Sequence, residues 1–273
     1  MRALLATDDL ARLDLQTAGV GDSVSAALSR LDLPDAPRVL ELGCGTGVLT
    51  AELLRALPAA VVDAVDQDRQ ALQTAAERVD GAVSWHWSTA GDHLRAYSDY
   101  HLVICRLFLM HQPAPAALMR TARRSLAVGG ALVAIEFDLG AALWHPTCPS
   151  LERVLRAAGD CTARARDAGI AVPDPFLGRQ LVSLARRSGY DRWHVQAVSR
   201  TVTADSGEQV DREARNLLGV LAMVQPLLLA TGDATGEDFD AVTELVHGWS
   251  DSPDFFSLQT MLTLVATLDR QRS

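Results

Sequence analysis

The clearest chemistry in this chain comes from a cluster of glycines that follows an apolar run. Residues 39–50 read Val-Leu-Glu-Leu-Gly-Cys-Gly-Thr-Gly-Val-Leu-Thr, with glycines at 43, 45 and 47. Glycine accepts positive φ and lets a ligand lie against bare backbone. The helix expected to begin at Val48 directs its unpaired N–H groups to the same place. The pattern predicts a strand-to-helix turn that binds a nucleotide-like ligand.

A carboxylate at the end of the next strand adds a second group. We expect this strand over Ala60–Asp66, with its terminal acid 19 positions after Gly47. A carboxylate at this point can accept hydrogen bonds from both hydroxyls of a ribose. The turn is spelled G-x-G-x-G, with Glu41 two residues before the first glycine, whereas dinucleotide-binding chains use G-x-G-x-x-G. A purely structural turn is the alternative.

The elements that must hold these groups alternate between strand and helix, which predicts a parallel sheet covered by helices on both faces. The fourth strand is apolar along nearly its whole length, as expected for a strand buried on both faces. A helix after it is expected to end at Gly129-Gly130. The expected strands are 38–42, 60–66, 83–88, 101–108 and 131–137, and the expected helices after the one at Val48 are 68–79, 91–97 and 114–126.

This alternation ends after Asp138, and the rest of the chain predicts a single domain, 1–273, with two helical insertions. The insertions cover 139–175 and 205–252, and we expect them to form a lid or cap over the substrate. The expected elements beyond residue 138 are helices over 151–168, 177–188, 207–229 and 236–249, and strands over 193–203 and 258–268.

Composition narrows the class of protein. The 273 residues are 48% hydrophobic and 22% charged, which is enough apolar residue to bury a large core. The net charge of -9 argues against a nucleic-acid partner, because neutralising phosphates requires clustered Lys and Arg. No apolar stretch reaches the ~18 residues of a membrane span, and Asp8 and Asp9 spoil a signal peptide, so we expect a cytoplasmic protein without a membrane partner. We expect a monomer or a homodimer.

The four cysteines, at 44, 105, 148 and 161, lack C-x-x-C spacing. They predict buried thiols, and neither disulfides nor a zinc site. We therefore predict no metal.

The glycine-rich turn and the acid that follows it resemble the first motifs of class I S-adenosylmethionine-dependent methyltransferases of the small-molecule type. Weaker likenesses are Arg12-Leu13 with Gln16 before the first strand, the segment 101–111, and the turn 124–130. The resemblance implies an α/β fold with a Rossmann-like, doubly wound sheet of seven strands. In that fold the last strand is antiparallel and lies next to the sixth.

The same resemblance implies which residues hold the cofactor, S-adenosylmethionine. Asp66 would hold the ribose hydroxyls, Gln67 would lie beside the adenine, and Arg106 would line the methionine end. The family's acid after the third strand is replaced here by Thr89, with Asp92 three residues later. The full implied set is Gln16, Glu41, Gly43, Cys44, Gly45, Gly47, Asp66, Gln67, Thr89, Ala90 and Arg106.

Methyl transfer to a hydroxyl or an acidic carbon is helped by a general base, and the sequence offers four. They are His111, Glu136, Asp138 and His145, all expected on the carboxyl side of the sheet or in the insertion beyond it. Either acid can instead bind nearby backbone. His145 is the preferred base because it lies between Trp144 and Pro146 in the expected lid, and His111 is the second catalytic candidate. Apolar pocket walls are expected from Trp144, Phe108, Met110 and Phe176, although each can equally pack in the core.

Three functions are compatible with these residues. The favoured one is methyl transfer to a small-molecule acceptor, of the natural-product or secondary-metabolite kind. The second is an enzyme of this fold that binds S-adenosylmethionine but catalyses a non-methylating step such as cyclisation. The third is a regulatory or structural protein that binds the cofactor. Fold alone does not decide between them.

Overall fold

The structure is a computed structural model that describes residues 20–268. Its contacts divide into two compact units. The first unit contains the described residues up to 136 together with 178–198 and those from 261 onward, and the second contains 137–177 and 199–260. Arg12, Leu13 and Gln16 lie outside the described residues, so the prediction for them is not tested.

The strands belong to one sheet in the order β3-β2-β1-β4-β5-β8-β6, with β7 paired to β8. The pairs β1–β2, β1–β4, β2–β3 and β4–β5 are parallel. The strands are β1 (Arg38–Leu42), β2 (Val61–Asp66), β3 (Val83–Trp87), β4 (Tyr100–Arg106), β5 (Leu126–Phe137), β6 (Leu143–His145), β7 (Arg192–Thr203) and β8 (Phe256–Thr267). This order confirms the Rossmann-like α/β fold, including the placement of the last strand beside the predicted sixth strand, which is β7.

The helices alternate with the strands through the first unit, as expected. They are α1 (Val20–Leu28), α2 (Val48–Ala56), α3 (Arg69–Arg78), α4 (Ala90–Ala96), α5 (Pro115–Ser125), α6 (Pro149–Asp167), α7 (Leu181–Arg187), α8 (Glu208–Thr231) and α9 (Gly236–His247). The first unit buries an apolar core between sheet and helices that includes Val39, Leu53, Val62, Ile104 and Ile135. Helix α1 was not predicted from the sequence.

The expected helix stop at Gly129-Gly130 is wrong. Helix α5 ends at Ser125 and β5 begins at Leu126, so both glycines lie inside the strand. The pairing of β4 with β5 is irregular between Tyr100 and Leu102, and a Cβ on Gly130 would lie 2.8 Å from the Tyr100 carbonyl oxygen. Gly130 therefore permits a close backbone approach inside an irregular ladder rather than ending a helix.

The second unit has a separate apolar core built mainly by α6, α8 and α9. Its buried members include Val154, Leu221, Phe239, Val246 and Trp249. The sequence predicts no strand inside 139–175, but the residues of the short strand β6 pair antiparallel with Phe256, Ser257 and Leu258 of β8. The sheet therefore has eight strands rather than the seven that the sequence predicted. Both predicted insertions lie in this unit, and their role as a lid stays a prediction.

Helix α8 is long and apolar enough, by length and composition alone, to cross a membrane. It is also a core helix of the second unit, where Val210, Leu217, Val224 and Leu228 are buried. A core helix passes the same test of length and composition, so the feature is weak evidence for a membrane span.

Candidate functional site

The glycine-rich turn is held against β2 by backbone hydrogen bonds. The N–H groups of Gly43 and Cys44 donate to the Val65 carbonyl at 2.8 and 3.1 Å. Gly43, Gly45 and Gly47 have φ values of 71°, 52° and 80°, which is the left-handed region that glycine enters without a steric penalty. Gly47 precedes α2, and no side chain caps that helix. The N-terminal N–H groups of α2 therefore remain available to a ligand at the turn.

Asp66 joins the turn directly. One carboxylate oxygen accepts from the Gly45 N–H at 2.9 Å, and the other accepts from the Asp68 N–H at 2.9 Å. Burial raises the pKa of Asp66, although these two hydrogen bonds oppose the shift. A carboxylate oxygen accepts more than one hydrogen bond, so both oxygens can still receive a hydroxyl. The structure thus brings together Asp66 and the glycine turn, 21 residues apart along the chain.

Glu41 lies fully buried under the same turn. The Thr50 hydroxyl, from the first turns of α2, donates to its carboxylate at 2.6 Å. Burial raises the pKa of Glu41 to about 8, and Asp66 adds to the shift while the Thr50 hydrogen bond and Arg106 oppose it. A carboxyl group with this pKa is mostly protonated at neutral pH, which limits the cost of its burial.

Gly43 is needed for internal packing as well as for its backbone angle. A Cβ at this position would lie 2.3 Å from a ring carbon of Phe108. Gly43→Ala should therefore lower the free energy of unfolding by about 2–4 kcal/mol, from left-handed strain and overpacking together. Gly169→Ala is the matched control, because Gly169 has φ 75° but nothing within 4 Å of an added Cβ. Equal losses in urea unfolding for the two variants would contradict the packing argument.

Glu136, near the end of β5, organises the segment after β4. One of its oxygens accepts from the N–H groups of Phe108 and Leu109 at 3.0 and 2.7 Å. The other oxygen is buried and has no hydrogen-bond partner. Burial raises the pKa of Glu136 to about 8, against the backbone hydrogen bonds and the nearby charge of Arg106. Arg106 is partly buried, and desolvation lowers its pKa to about 10 while both glutamates oppose that shift.

These contacts bear out one alternative raised from the sequence, since Glu136 binds nearby backbone. Asp138 does the same, because its side chain accepts from the Gly140 N–H at 3.0 Å. Phe108, held through Glu136, is the side chain that occupies the space beside Gly43. The segment after β4 and the glycine turn are thus fitted to each other.

The raised pKa of Glu136 predicts a pH-dependent stability of the ligand-free protein. The unfolded chain releases this proton near pH 4.5, whereas the folded protein holds it to about pH 8. The contribution of Glu136 is therefore fully present below pH 4.5 and is lost as pH rises through about 8. The difference in unfolding free energy between wild type and Glu136→Gln should fall by up to about 1 kcal/mol per pH unit between pH 5 and 8. Parallel stability curves for the two proteins would contradict the assignment.

The remaining predicted cofactor residues lie along the ends of β2 and β3. The carbonyl of Gln67 accepts from the Trp87 indole N–H at 3.1 Å. Thr89 caps α4: its hydroxyl oxygen accepts from the Asp92 N–H at 3.1 Å, and its O–H donates to the Asp92 carboxylate at 2.6 Å. Ala90 is the first residue of α4 and is buried. Thr89 and Asp92 therefore act together as a helix cap, and their role toward adenine stays a prediction.

The two histidines proposed as bases lie in different units. His111 ends a short 3₁₀ helix in the first unit and is exposed. His145 is the exposed last residue of β6 in the second unit, paired with Phe256. Their catalytic roles stay predictions.

Three of the four side chains expected to wall an apolar pocket pack in the cores of their own units. Met110 is buried, and Trp144 and Phe176 lie against the core of the second unit. These three agree with the core alternative raised from the sequence.

Sequence reasoning missed a polar cluster in the first unit. It consists of Arg38, Asp63, His86, His93 and Tyr100, which come from four strands and a helix. Spacing along the chain gave no signal for it, because its members are brought together by strand pairing and by the packing of α4 against the sheet.

Comparison with known proteins matches this geometry to a class. Residues 39–130 match the model of the family described as methyltransferase domain. The malonyl-[acyl-carrier protein] O-methyltransferase of Halalkalibacterium halodurans is 49% identical over 51 residues, which cover 18% of this chain and 19% of that protein. The alignment thus spans about a fifth of that curated relative's length.

Two solved structures share the fold over most of the chain. One is a phosphoethanolamine N-methyltransferase 2 from Haemonchus contortus in complex with phosphomonomethylethanolamine and S-adenosylhomocysteine, with a TM-score of 0.52, 17% identity and coverage of 90% of this chain and 52% of that one. The other is the YcgJ protein from Bacillus subtilis, with a TM-score of 0.53, 16% identity and coverage of 91% and 99%. At these identities the likeness shows the fold.

The strand order, the glycine turn with Asp66 and the family match define one class. Residues 39–130 match a methyltransferase domain, and S-adenosylmethionine is the cofactor of the class I methyltransferases that the sequence resembles. The class and the cofactor predicted from the sequence are therefore confirmed.

Proposed function

We propose that this protein transfers the methyl group of S-adenosylmethionine to a small-molecule acceptor of the natural-product kind. The observation that carries the proposal is the direct hydrogen bond between the Asp66 carboxylate and the Gly45 N–H. It joins a ribose-binding acid to a left-handed glycine turn at the carboxyl ends of parallel strands. Ligands of open α/β sheets bind at these strand ends.

The donors and acceptors at the turn fit the parts of the cofactor. Asp66 offers two oxygens to the ribose hydroxyls, and the uncapped start of α2 offers N–H groups to a carboxylate. Two carboxyl groups and a cation lie near Asp66 and the start of α2. They belong to Glu41, Glu136 and Arg106. This set suits a ligand that carries a carboxylate, an ammonium and a sulfonium. The sequence-implied contacts of Gly43, Cys44 and Gly47 are part of the same proposal.

Two buried carboxyl groups of the site carry protons at neutral pH in the ligand-free protein. Glu41 and Glu136 both have a pKa of about 8 in the ligand-free protein. A cationic ligand nearby favours their charged forms, so its binding should release protons from them.

The cofactor supplies an electrophilic methyl group on a positively charged sulfur. The contribution of the protein is alignment, exclusion of water and, for a hydroxyl or acidic-carbon acceptor, a base. We propose His145 as this base and His111 as the second candidate, both exposed and able to exchange protons with solvent. The net charge of -9 supports an acceptor other than a nucleic acid. A cytoplasmic location and a monomeric or dimeric state are parts of this proposal.

The proposal is tested by incubating the full chain with methyl-labelled S-adenosylmethionine and a panel of small hydroxylated and carbon-acidic metabolites. Label in the acceptor together with an equal amount of S-adenosylhomocysteine supports methyl transfer. A product that forms only when the cofactor is bound, with neither label nor S-adenosylhomocysteine, replaces methyl transfer by a non-methylating reaction such as cyclisation. Binding of the cofactor with no turnover across the panel and across cell extracts favours a regulatory protein.

We also propose that 139–175 acts as a lid that orders when substrate binds. Water should be kept from the transferring methyl group, and this segment is the first break in the β/α alternation. Its backbone amides should exchange with deuterium faster than those of β1 and β4 in the free protein, and should slow when cofactor and acceptor are both added. Equal exchange of this segment with and without ligands would contradict a lid.

A further inference from the structure

The polar cluster missed in the sequence lies away from the glycine turn. Arg38 and Tyr100 are the first residues of β1 and β4, and Asp63 is the third of β2. These strands are parallel, so their amino ends lie together. The glycine turn follows the carboxyl end of β1 and is therefore at the other end of the strands. We name Arg38, Asp63, His86, His93 and Tyr100 the Asp63 cluster.

Asp63 is the centre of this cluster. One carboxylate oxygen lies 2.9 Å from Nε2 of His86. The other accepts from the Tyr100 hydroxyl at 2.9 Å and from the Arg38 guanidinium at 3.3 Å. Nε2 of His93 lies 2.9 Å from the same Tyr100 hydroxyl. The His86 imidazole thus contacts the Asp63 carboxylate, and the His93 imidazole contacts the Tyr100 hydroxyl that is bonded to the same carboxylate.

The distances among the donor atoms match a metal site. One ligand atom each from Asp63, His86 and His93 lies within 4.8 Å of the other two. Ligands of tetrahedral zinc at bond lengths of about 2.1 Å are separated by about 3.4 Å. This separation falls between the 2.9 Å contact and the 4.8 Å limit, so small side-chain adjustments complete the geometry.

We propose that Asp63, His86 and His93 bind one divalent transition-metal ion, with Zn²⁺ as the favoured ion. Two imidazole nitrogens and a carboxylate oxygen are a typical three-residue set for zinc, with water as the fourth ligand. Tyr100 and Arg38 hold the second carboxylate oxygen and so orient the first toward the ion. The metal would take the place of the hydrogen bond between His86 and Asp63.

A metal ion can reach the Asp63 cluster from solvent, and its binding should stabilise the fold. The His86 side chain is 26% exposed, and Tyr97, which stacks on His93 at 4.5 Å between ring centroids, is also exposed. An ion can enter beside these two rings. Strand β3 is the edge of the sheet, paired on one side with β2. The bound ion would cross-link β3, β2 and α4, and should therefore stabilise the fold.

The test is zinc binding to the tag-free full chain after treatment with EDTA. Calorimetry should give one Zn²⁺ per chain, and X-ray absorption should show two imidazoles among nitrogen and oxygen ligands. His86→Gln should weaken binding at least tenfold and abolish the zinc-dependent rise in melting temperature, and Tyr100→Phe should weaken it about tenfold through loss of the orienting hydrogen bond. His247→Gln, which changes an exposed histidine of the second unit, is the matched control and should bind as wild type.

Two results would overturn the proposal. One is wild-type protein that binds no stoichiometric zinc, in which case the cluster is a hydrogen-bonded network. The other is an absorption spectrum of the wild-type complex with fewer than two imidazole ligands. Both are measured on the wild type, so they decide the question even where a variant fails to fold. Neither depends on methyl transfer.

Discussion

Asp66→Ala should weaken binding of S-adenosylmethionine and S-adenosylhomocysteine at least tenfold, which corresponds to a loss of about 1.4 kcal/mol. The wild type is expected to bind both in the micromolar range, about -7 to -9 kcal/mol. The carboxylate serves two purposes, because it offers acceptors to the ribose and also fixes the turn through the Gly45 N–H. Its loss removes ligand contacts and loosens the turn that the ligand must fit.

Asp80→Ala is the matched control for this experiment. It changes the net charge by the same amount at an exposed acid beyond the end of α3. Calorimetry should give wild-type affinity for this variant. Unchanged affinity in Asp66→Ala, or an equal loss in Asp80→Ala, would remove Asp66 from the cofactor site.

His145→Ala should lower turnover by about 10² or more, provided that the acceptor is a hydroxyl or an acidic carbon, and should leave the affinity for S-adenosylmethionine unchanged. A group that acts mainly in the transition state shows this separation of kcat from binding. The histidine is exposed at the end of β6, where it can accept a proton and return it to solvent. The measurement is steady-state kinetics with the identified acceptor, alongside cofactor calorimetry.

His111→Ala provides the comparison, since it removes the other candidate base, from the first unit. A loss of less than threefold in His145→Ala would leave alignment as the main source of rate. A large loss in His111→Ala alone would transfer the role of base to that residue.

The parts of the site that were predictable from the sequence are local. The glycine turn, Glu41 and the start of α2 lie within a dozen residues, and Asp66 ends the very next strand, so the spacing of residue types specified them. The parallel sheet followed from the β/α alternation, and the place of the last strand beside the sixth followed from the resemblance to a known class. These features are determined by short segments whose chemistry permits few alternatives.

The parts that were not predictable depend on contacts across the sequence. Glu136 and Phe108 are 28 positions apart, and Asp63 and Tyr100 are 37 apart. The sequence predicts the end of a helix at Gly129-Gly130, whereas Gly130 lies inside β5, where the Tyr100 carbonyl of the neighbouring strand leaves no room for a Cβ. Strand β6 has only three residues and forms because β8 pairs with it. Such contacts arise from tertiary packing, which overrides local propensity.

The most direct test of the central claim is titration of the wild-type protein with S-adenosylmethionine, S-adenosylhomocysteine and, as a control nucleotide, NAD. The account predicts saturable heats in the micromolar range for the first two ligands, mutual competition between them, and no heat for NAD at the same concentrations. Absence of heat and of competition for S-adenosylmethionine and S-adenosylhomocysteine, or tighter binding of NAD, would contradict it.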